Sequence, residues 1–125
     1  MSFICPQCDA PTLEMIRSLE LPGDSFSDEI TLQQIACYRC GLRGTSVYQE
    51  SRRGQLDSES WDHTGYRLDE GDYQRLDHLI QACPNPADKD CVCTAHIFFN
   101  LVGPTGQWQG LSRFRLSPSF ILELA

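Results

Sequence analysis

The chain has 125 residues, a net charge of −7 and seven cysteines, so it is one domain's length and can hide about two-thirds of its unfolded surface. No apolar run approaches the ~20 residues that span a bilayer, and the start "MSFICP" lacks the basic and apolar regions of a signal peptide. The expectation is a cytoplasmic protein with no membrane partner, where close cysteine pairs serve as metal ligands or catalytic groups more often than as staples.

Charge is uneven along the chain. Counted from the sequence, residues 1–36 carry −5, 37–55 carry +3, 56–90 carry −6 and 91–125 carry +1. Nine of the ten basic residues are Arg, a planar donor suited to bidentate contacts.

In chain order, "LEMIRSLEL" at 13–21 partly alternates apolar and polar residues, as a half-buried strand does. "PGDS" at 22–25 makes a turn. Ile30 to Ala36 predicts a second strand running into a cysteine pair, and "TSVYQ" at 45–49 a third. Residues 50–64 are polar and aperiodic, which suits a connecting loop or a long hairpin. Asp69 is a candidate N-cap for a helix carrying Tyr73, Leu76, Leu79, Ile80 and Cys83 at helical spacing, stopped by Pro84 and Pro86. "HIFFNLV" at 96–102 and "WQGLSRFRL" at 108–116 flank "GPTG" and predict a β-hairpin, and "FILEL" at 120–124 a last strand.

Cys5 and Cys8 are separated by two residues, as are Cys37 and Cys40, with 28 residues between the pairs and Gly41 directly after the second. Two intervening residues let both thiolates of a tight turn face one ion, and Gly41 can take the positive φ by which the chain leaves that turn. Four thiolates fill a tetrahedral zinc site and leave no position for water, so such a site is structural. Its binding free energy, roughly 10–16 kcal/mol, arrives as folding free energy. Two strained vicinal disulfides, or four buried thiols, are the alternatives. A filled site is formally −2, which Arg39 and Arg43 are placed to offset.

Two such knuckles separated by a long hairpin, the second continuing as "CGLRGTSVY" into a strand, resemble a zinc ribbon and, among ribbons, the ZPR1-type zinc finger. The resemblance covers residues 5 to about 50 and implies a protein-interaction module linked to translation elongation factor binding. The family's apolar spacer is replaced here by "LPGDSFSDE", and its β-rich second domain has no counterpart after residue 56.

Cys83, Cys91, Cys93 and His96 carry the donors of a second closed site. On one regular strand Cys91 and Cys93 would share a face and His96 would point away, a conflict that a turn at Thr94–Ala95 removes. Buried structural thiols and a redox or catalytic thiol are the other readings of Cys83, Cys91 and Cys93. A reactive thiolate needs a helix N-terminus or a cationic neighbour, whereas Cys83 ends a predicted helix among acidic residues. His78 sits poorly on the helix for this group, and His63 is unplaced.

Arg39, Arg43, Arg52 and Arg53, interleaved with Tyr38 and Tyr48, are the candidate residues for nucleic-acid binding by backbone tracking and stacking. The large acidic excess restricts that to a local patch. No Gly-x-Ser-x-Gly, His-Glu-x-x-His or paired acid and base is present. The expectation is therefore an α+β protein with a small N-terminal antiparallel β zinc ribbon at 1–55, then a helix and β-hairpin module at 56–125 carrying the second site. It would bind one zinc ion, or two, and act as a non-enzymatic module whose partner is another protein. Nucleic-acid binding is the first alternative, and a redox or metal-dependent enzyme using the second cysteine group the other.

Overall fold

The computed structural model describes residues 2–51 and 60–125. Strands β1 (Ser2–Phe3), β2 (Leu13–Leu21), β3 (Glu29–Cys37), β4 (Arg43–Ser51), β5 (Ser60–Arg67) and β6 (Phe120–Ile121) form one sheet in sequence order, each paired antiparallel with the next. Helices α1 (Glu70–Ala82) and α2 (Thr94–Phe99) complete the elements. The three strands expected before residue 50 and the helix after Asp69 are all present. Asp69 caps α1 as expected, its carboxylate accepting the Asp72 N–H at 2.8 Å.

Two expectations are corrected. The segment read as a loop or hairpin arm contains most of β5, which pairs with β4 from Gly44–Arg67 to Ser51–Ser60. The C-terminal β-hairpin is not formed: "TAHIFF" is helical, and only Val102 and Trp108 pair across the "GPTG" turn, in an isolated bridge. A continuous apolar run of this length does not separate strand from helix, and the Cys93 side chain starts the helix by accepting the His96 N–H.

The last strand closes the sheet on itself. β6 pairs with β5, then Leu124 bridges to Phe3; the Ile4 N–H donates to the Glu123 carbonyl at 2.8 Å and the Ala125 N–H to that of Ser2 at 3.1 Å. The result is a curled half-barrel. Phe3 meets His63 edge-on at 5.3 Å between ring centroids, which places Gln33, Ile35 and His63 on the concave face and Ile30, Leu32 and Gln34 on the other.

β2 serves both faces by means of a bulge. Leu13 and Met15 lie opposite Cys37 and Ile35, but the register shifts between Met15 and Arg17, so that Leu19 and Leu21 lie opposite Leu32 and Ile30. One extra residue, Ile16, thus moves the odd-numbered side chains from the concave face to the helix-covered one. Each face has its own apolar cluster. Phe3, Leu13, Ile35, Leu42 and Leu122 pack with Cys5 and Cys37 at one end, whereas Leu19, Leu21, Ile30, Leu32 and Val47 pack beneath Leu76, Ile80, Phe99, Trp108 and Phe114. A fully buried Leu, Ile or Phe stabilises by about 1.5–3 kcal/mol, so this second cluster dominates the core. Its members come from both sides of residue 55.

Polar contacts orient α1 on the sheet. Gln34 donates from Nε2 to the Tyr73 hydroxyl at 3.0 Å and to Asp77 at 2.8 Å, and Arg17 meets Asp77 at 3.3 Å. No helix among the described residues is long and apolar enough to cross a membrane.

Candidate metal centres

The eight expected ligands fall into two groups, Cys5, Cys8, Cys37, Cys40 and Cys83, Cys91, Cys93, His96, with the donor atoms of each group within 4.8 Å of one another. Either group can hold a metal ion.

The first centre joins two loops that leave the same end of the sheet. Cys5–Cys8 lies between β1 and β2, and Cys37–Cys40 runs from the last residue of β3 into the turn before β4. The two knuckles have the same backbone. Asp9 N–H donates to the Cys5 carbonyl at 2.9 Å as Gly41 N–H does to Cys37 at 3.1 Å, while Cys5 N–H reaches Ala10 and Cys37 N–H reaches Leu42. The exit residue has positive φ in both, 80° at Gly41 and 59° at Asp9. Aspartate is among the few side chains that tolerate this region.

Sulfur spacing fits a shared ion. Cys5 and Cys40 are 3.6 Å apart and Cys8 and Cys37 3.8 Å, well beyond a disulfide's ~2.05 Å. Four sulfurs at ~2.3 Å from a tetrahedral ion are about 3.8 Å from each other. The Thr12 hydroxyl lies 3.0 Å from the Cys37 sulfur, and the Cys40 N–H donates to that sulfur at 3.5 Å.

Electrostatics within the group are opposed. Burial pushes the Cys5 thiol up to about 12. Burial acts the same way on Cys37, but the Thr12 hydroxyl and the N–H groups of Cys40 and Arg39 outweigh it and bring that thiol down to about 6. The Ala10 N–H holds Cys8 low. Sulfurs packed this closely do not all ionise without a cation, so one keeps a proton beside another's thiolate.

The second centre lies where α1 ends and α2 begins. Cys83 is the C-cap of α1 and Cys93 the N-cap of α2, and His96 sits in the first turn of α2. The turn at Thr94–Ala95 that reconciles the directions of Cys91, Cys93 and His96 is thus the start of a helix. Cys83 is 4.0 Å from Cys91, and the His96 Nδ1 is 3.5 Å from the Cys83 sulfur and 3.1 Å from that of Cys93. A sulfur–nitrogen edge of a tetrahedral zinc site is about 3.5 Å. Burial pushes Cys83 up to about 11. At Cys93 burial is outweighed by hydrogen bonds, led by that of the His96 backbone N–H, which lower it to about 6.

His96 is only 3% exposed, and its other nitrogen, Nε2, lies 2.9 Å from the Glu20 carbonyl. That oxygen accepts, so Nε2 carries the proton and Nδ1 presents its lone pair to the three sulfurs. An outer partner of this kind is the usual device for orienting a metal-bound imidazole. Glu20 is gripped twice, because its N–H donates to the Pro86 carbonyl at 2.8 Å. Since Leu13 and Glu20 are seven residues apart on β2, the centres sit near opposite ends of that strand, roughly 20 Å apart at ~3.3 Å per residue.

The other candidates are dispersed. Arg39 and Tyr38 are exposed on the second knuckle, but the Arg43 guanidinium lies over the Tyr73 ring at 5.5 Å. Arg52 and Arg53 lie outside the described residues. Tyr48 stacks on Trp61 in the concave face, and His63 stands beside it in β5. The sequence reading missed Asp9, Thr12 and the Glu20 carbonyl. Only Asp9 had a local signal, since it follows Cys8 as Gly41 follows Cys40.

Comparison with protein families, curated proteins and solved structures finds no match, so these centres stand on their own geometry.

Proposed function

We propose that the chain is a cytoplasmic, non-enzymatic protein-interaction module held in shape by two structural zinc ions. One is in a zinc-ribbon-like arrangement within residues 1–55 and the other is within 56–125. The observation that carries this reading is the pair of closed four-donor sets, each with all donors within 4.8 Å. Soft thiolate ligands in tetrahedral array select zinc or iron–sulfur chemistry among biological metals. Zinc suits a single ion ringed by four donors with no open position, where it stabilises the fold and does not activate water. A scaffold of this kind acts through its surface.

Metal analysis tests the proposal. Protein purified without added metal should carry two zinc ions per chain, and X-ray absorption should report an average environment between four sulfurs and three sulfurs with one nitrogen. One zinc would restrict the claim to Cys5, Cys8, Cys37 and Cys40, iron would redirect it toward electron transfer, and a folded metal-free protein would refute it. Nucleic-acid binding through Arg39, Arg43, Arg52 and Arg53 predicts a steep salt dependence, and a redox role for Cys83, Cys91 and Cys93 predicts rapid alkylation in the zinc-loaded protein. Both are read on the same material.

A further inference from the structure

A cleft of about 540 Å³ opens on the concave side of the half-barrel, and neither metal centre uses it. One wall is a row of rings. Phe3 and Tyr48 each stand edge-on to His63, and Tyr48 stacks on Trp61 at 6.3 Å. The facing wall is aliphatic, from Ile121, Leu122 and Leu124. Beneath the rings the Gln33 carboxamide oxygen meets the His63 Nε2 at 2.6 Å and accepts from the Ser46 hydroxyl at 2.7 Å. Both contacts of the Gln33 oxygen are thus made within the protein. Trp61, Ile121 and Leu124 are 61%, 73% and 64% exposed, and large apolar side chains gathered round one cleft mark a contact surface.

The backbone beside the cleft indicates what kind of partner fits. The His63 carbonyl accepts the Leu122 N–H at 3.0 Å, so it points to the β6 side of β5. A strand residue's N–H and C=O project together and repeat every second residue, so those of Trp61 face the same way. β6 pairs only with Thr64 and Gly65, and its continuation departs to bridge Phe3 at Leu124. Among the described residues no strand pairs with Trp61 on that edge. The edge and the apolar cleft adjoin, which is the arrangement that strand addition requires: main-chain bonds supply affinity and pockets receive alternate side chains. Among the described residues the only formal charge lining the cleft is Glu123, in a chain of net charge −7.

We propose that this cleft binds an extended, basic peptide segment of a partner protein, which adds a short strand to β5 at Trp61 and sets alternate apolar side chains between the aromatic and aliphatic walls. The inference rests on the interaction-module reading and names the partner's chemistry. The backbone edge selects an extended peptide over a helix, the two walls select apolar residues at every second position, and Glu123 with the overall charge selects Lys or Arg between them.

The test is selection of a random decapeptide display library on the full metal-loaded chain, with depletion on the Trp61→Ala variant. Enriched sequences are then synthesised as amidated peptides and titrated by isothermal calorimetry. The expected consensus alternates apolar and other residues and includes at least two Lys or Arg. Binding should weaken about tenfold in Trp61→Ala, about tenfold in Ile121→Lys, which opposes the peptide's charge from the other wall, and about tenfold when alternate backbone nitrogens of the peptide are methylated.

The inference is overturned by no enrichment, by acidic consensus sequences, by indifference to backbone methylation, or by equal binding to both variants. Self-association that buries Trp61 also overturns it, by assigning the edge to a second copy. Metal content measured on the same sample separates the outcomes, because a two-zinc chain that selects no peptide sinks this inference alone, whereas a folded metal-free chain sinks the reading beneath it.

Discussion

His96 ties the second centre to the sheet, and replacing it with alanine removes the proposed metal ligand and a hydrogen-bond donor together. Substitutions of outer-shell partners cost metal sites 10–100-fold in affinity, so loss of a ligand itself should cost about 10²–10³-fold, or about 3–4 kcal/mol of stability in the metal-loaded state. The Glu20 carbonyl, which His96 satisfies at 2.9 Å, loses its donor at a further cost of about 1 kcal/mol. For 125 residues, an unfolding entropy of ~2.1 cal/mol/K per residue converts about 4–5 kcal/mol into a fall in Tm of about 15–20 °C. Differential scanning calorimetry with metal analysis after mild chelation reads both quantities. His96→Ala should retain one zinc, and faster amide exchange should be confined to residues 83–99. His96→Gln, which can still donate to Glu20 but does not replace the imidazole as a ligand, should lose the metal with a smaller fall in Tm. Two zinc ions retained at unchanged affinity, or loss of the first centre's metal along with the second's, would refute the reasoning.

Cys37→Ser should empty the first centre, expose β1 and both knuckles to proteolysis, and leave one zinc per chain. In metal-free protein, Cys5 and Cys83 hold their protons well above neutral pH, at about 12 and about 11. Zinc must displace those protons, so affinity rises with pH and falls on acidification. Calorimetric titration at pH 8 in buffers of different ionisation enthalpy should register at least one proton released per metal, and a value of zero would contradict the ligand sets. Burial depresses the pKa of His63 below its ordinary 6.5. Its neutral form therefore contributes stability above about pH 6.5 that is lost as pH falls through the depressed value, and an NMR titration midpoint at or above 6.5 would contradict this. Gly44→Ala should destabilise by about 1–3 kcal/mol in chemical denaturation, because a Cβ there meets the Tyr66 carbonyl oxygen across the β4–β5 pair.

The elements legible in the sequence were those whose cause is local. The cysteine pairs, the Asp69 cap and the apolar spacing of Tyr73, Leu76 and Ile80 each declare themselves within a dozen residues. β5 was hidden because its inward positions, Trp61, His63 and Gly65, line an open cleft or approach another chain segment closely, and so do not give the apolar alternation of a strand over a filled core. The start of α2 is set by the cap at Cys93, which gathers with Cys83, Cys91 and His96. Nothing within "HIFFNLV" itself distinguishes that helix from a strand. The Glu20 carbonyl was out of reach for a simpler reason: it is backbone, 76 residues from the imidazole it orients.

The bulge at Ile16 works like a change of reading frame partway along one strand. Upstream of it β2 contributes to the end of the molecule that carries the first cysteine group, and downstream to the layer beneath the helices, so one nine-residue segment is assigned to two cores by a single inserted position. Were Ile16 instead paired as an ordinary strand residue opposite Gln34, every residue after it would shift by one, turning Leu19 and Leu21 toward the cleft and Ser18 and Glu20 toward the helices. That regular pairing would also turn the Glu20 carbonyl, on which the imidazole rests, away from the second centre. What assigns the two halves of this strand is therefore the unpaired place that Ile16 takes in the ladder, which lets one run of odd-numbered apolar residues serve first one face and then the other.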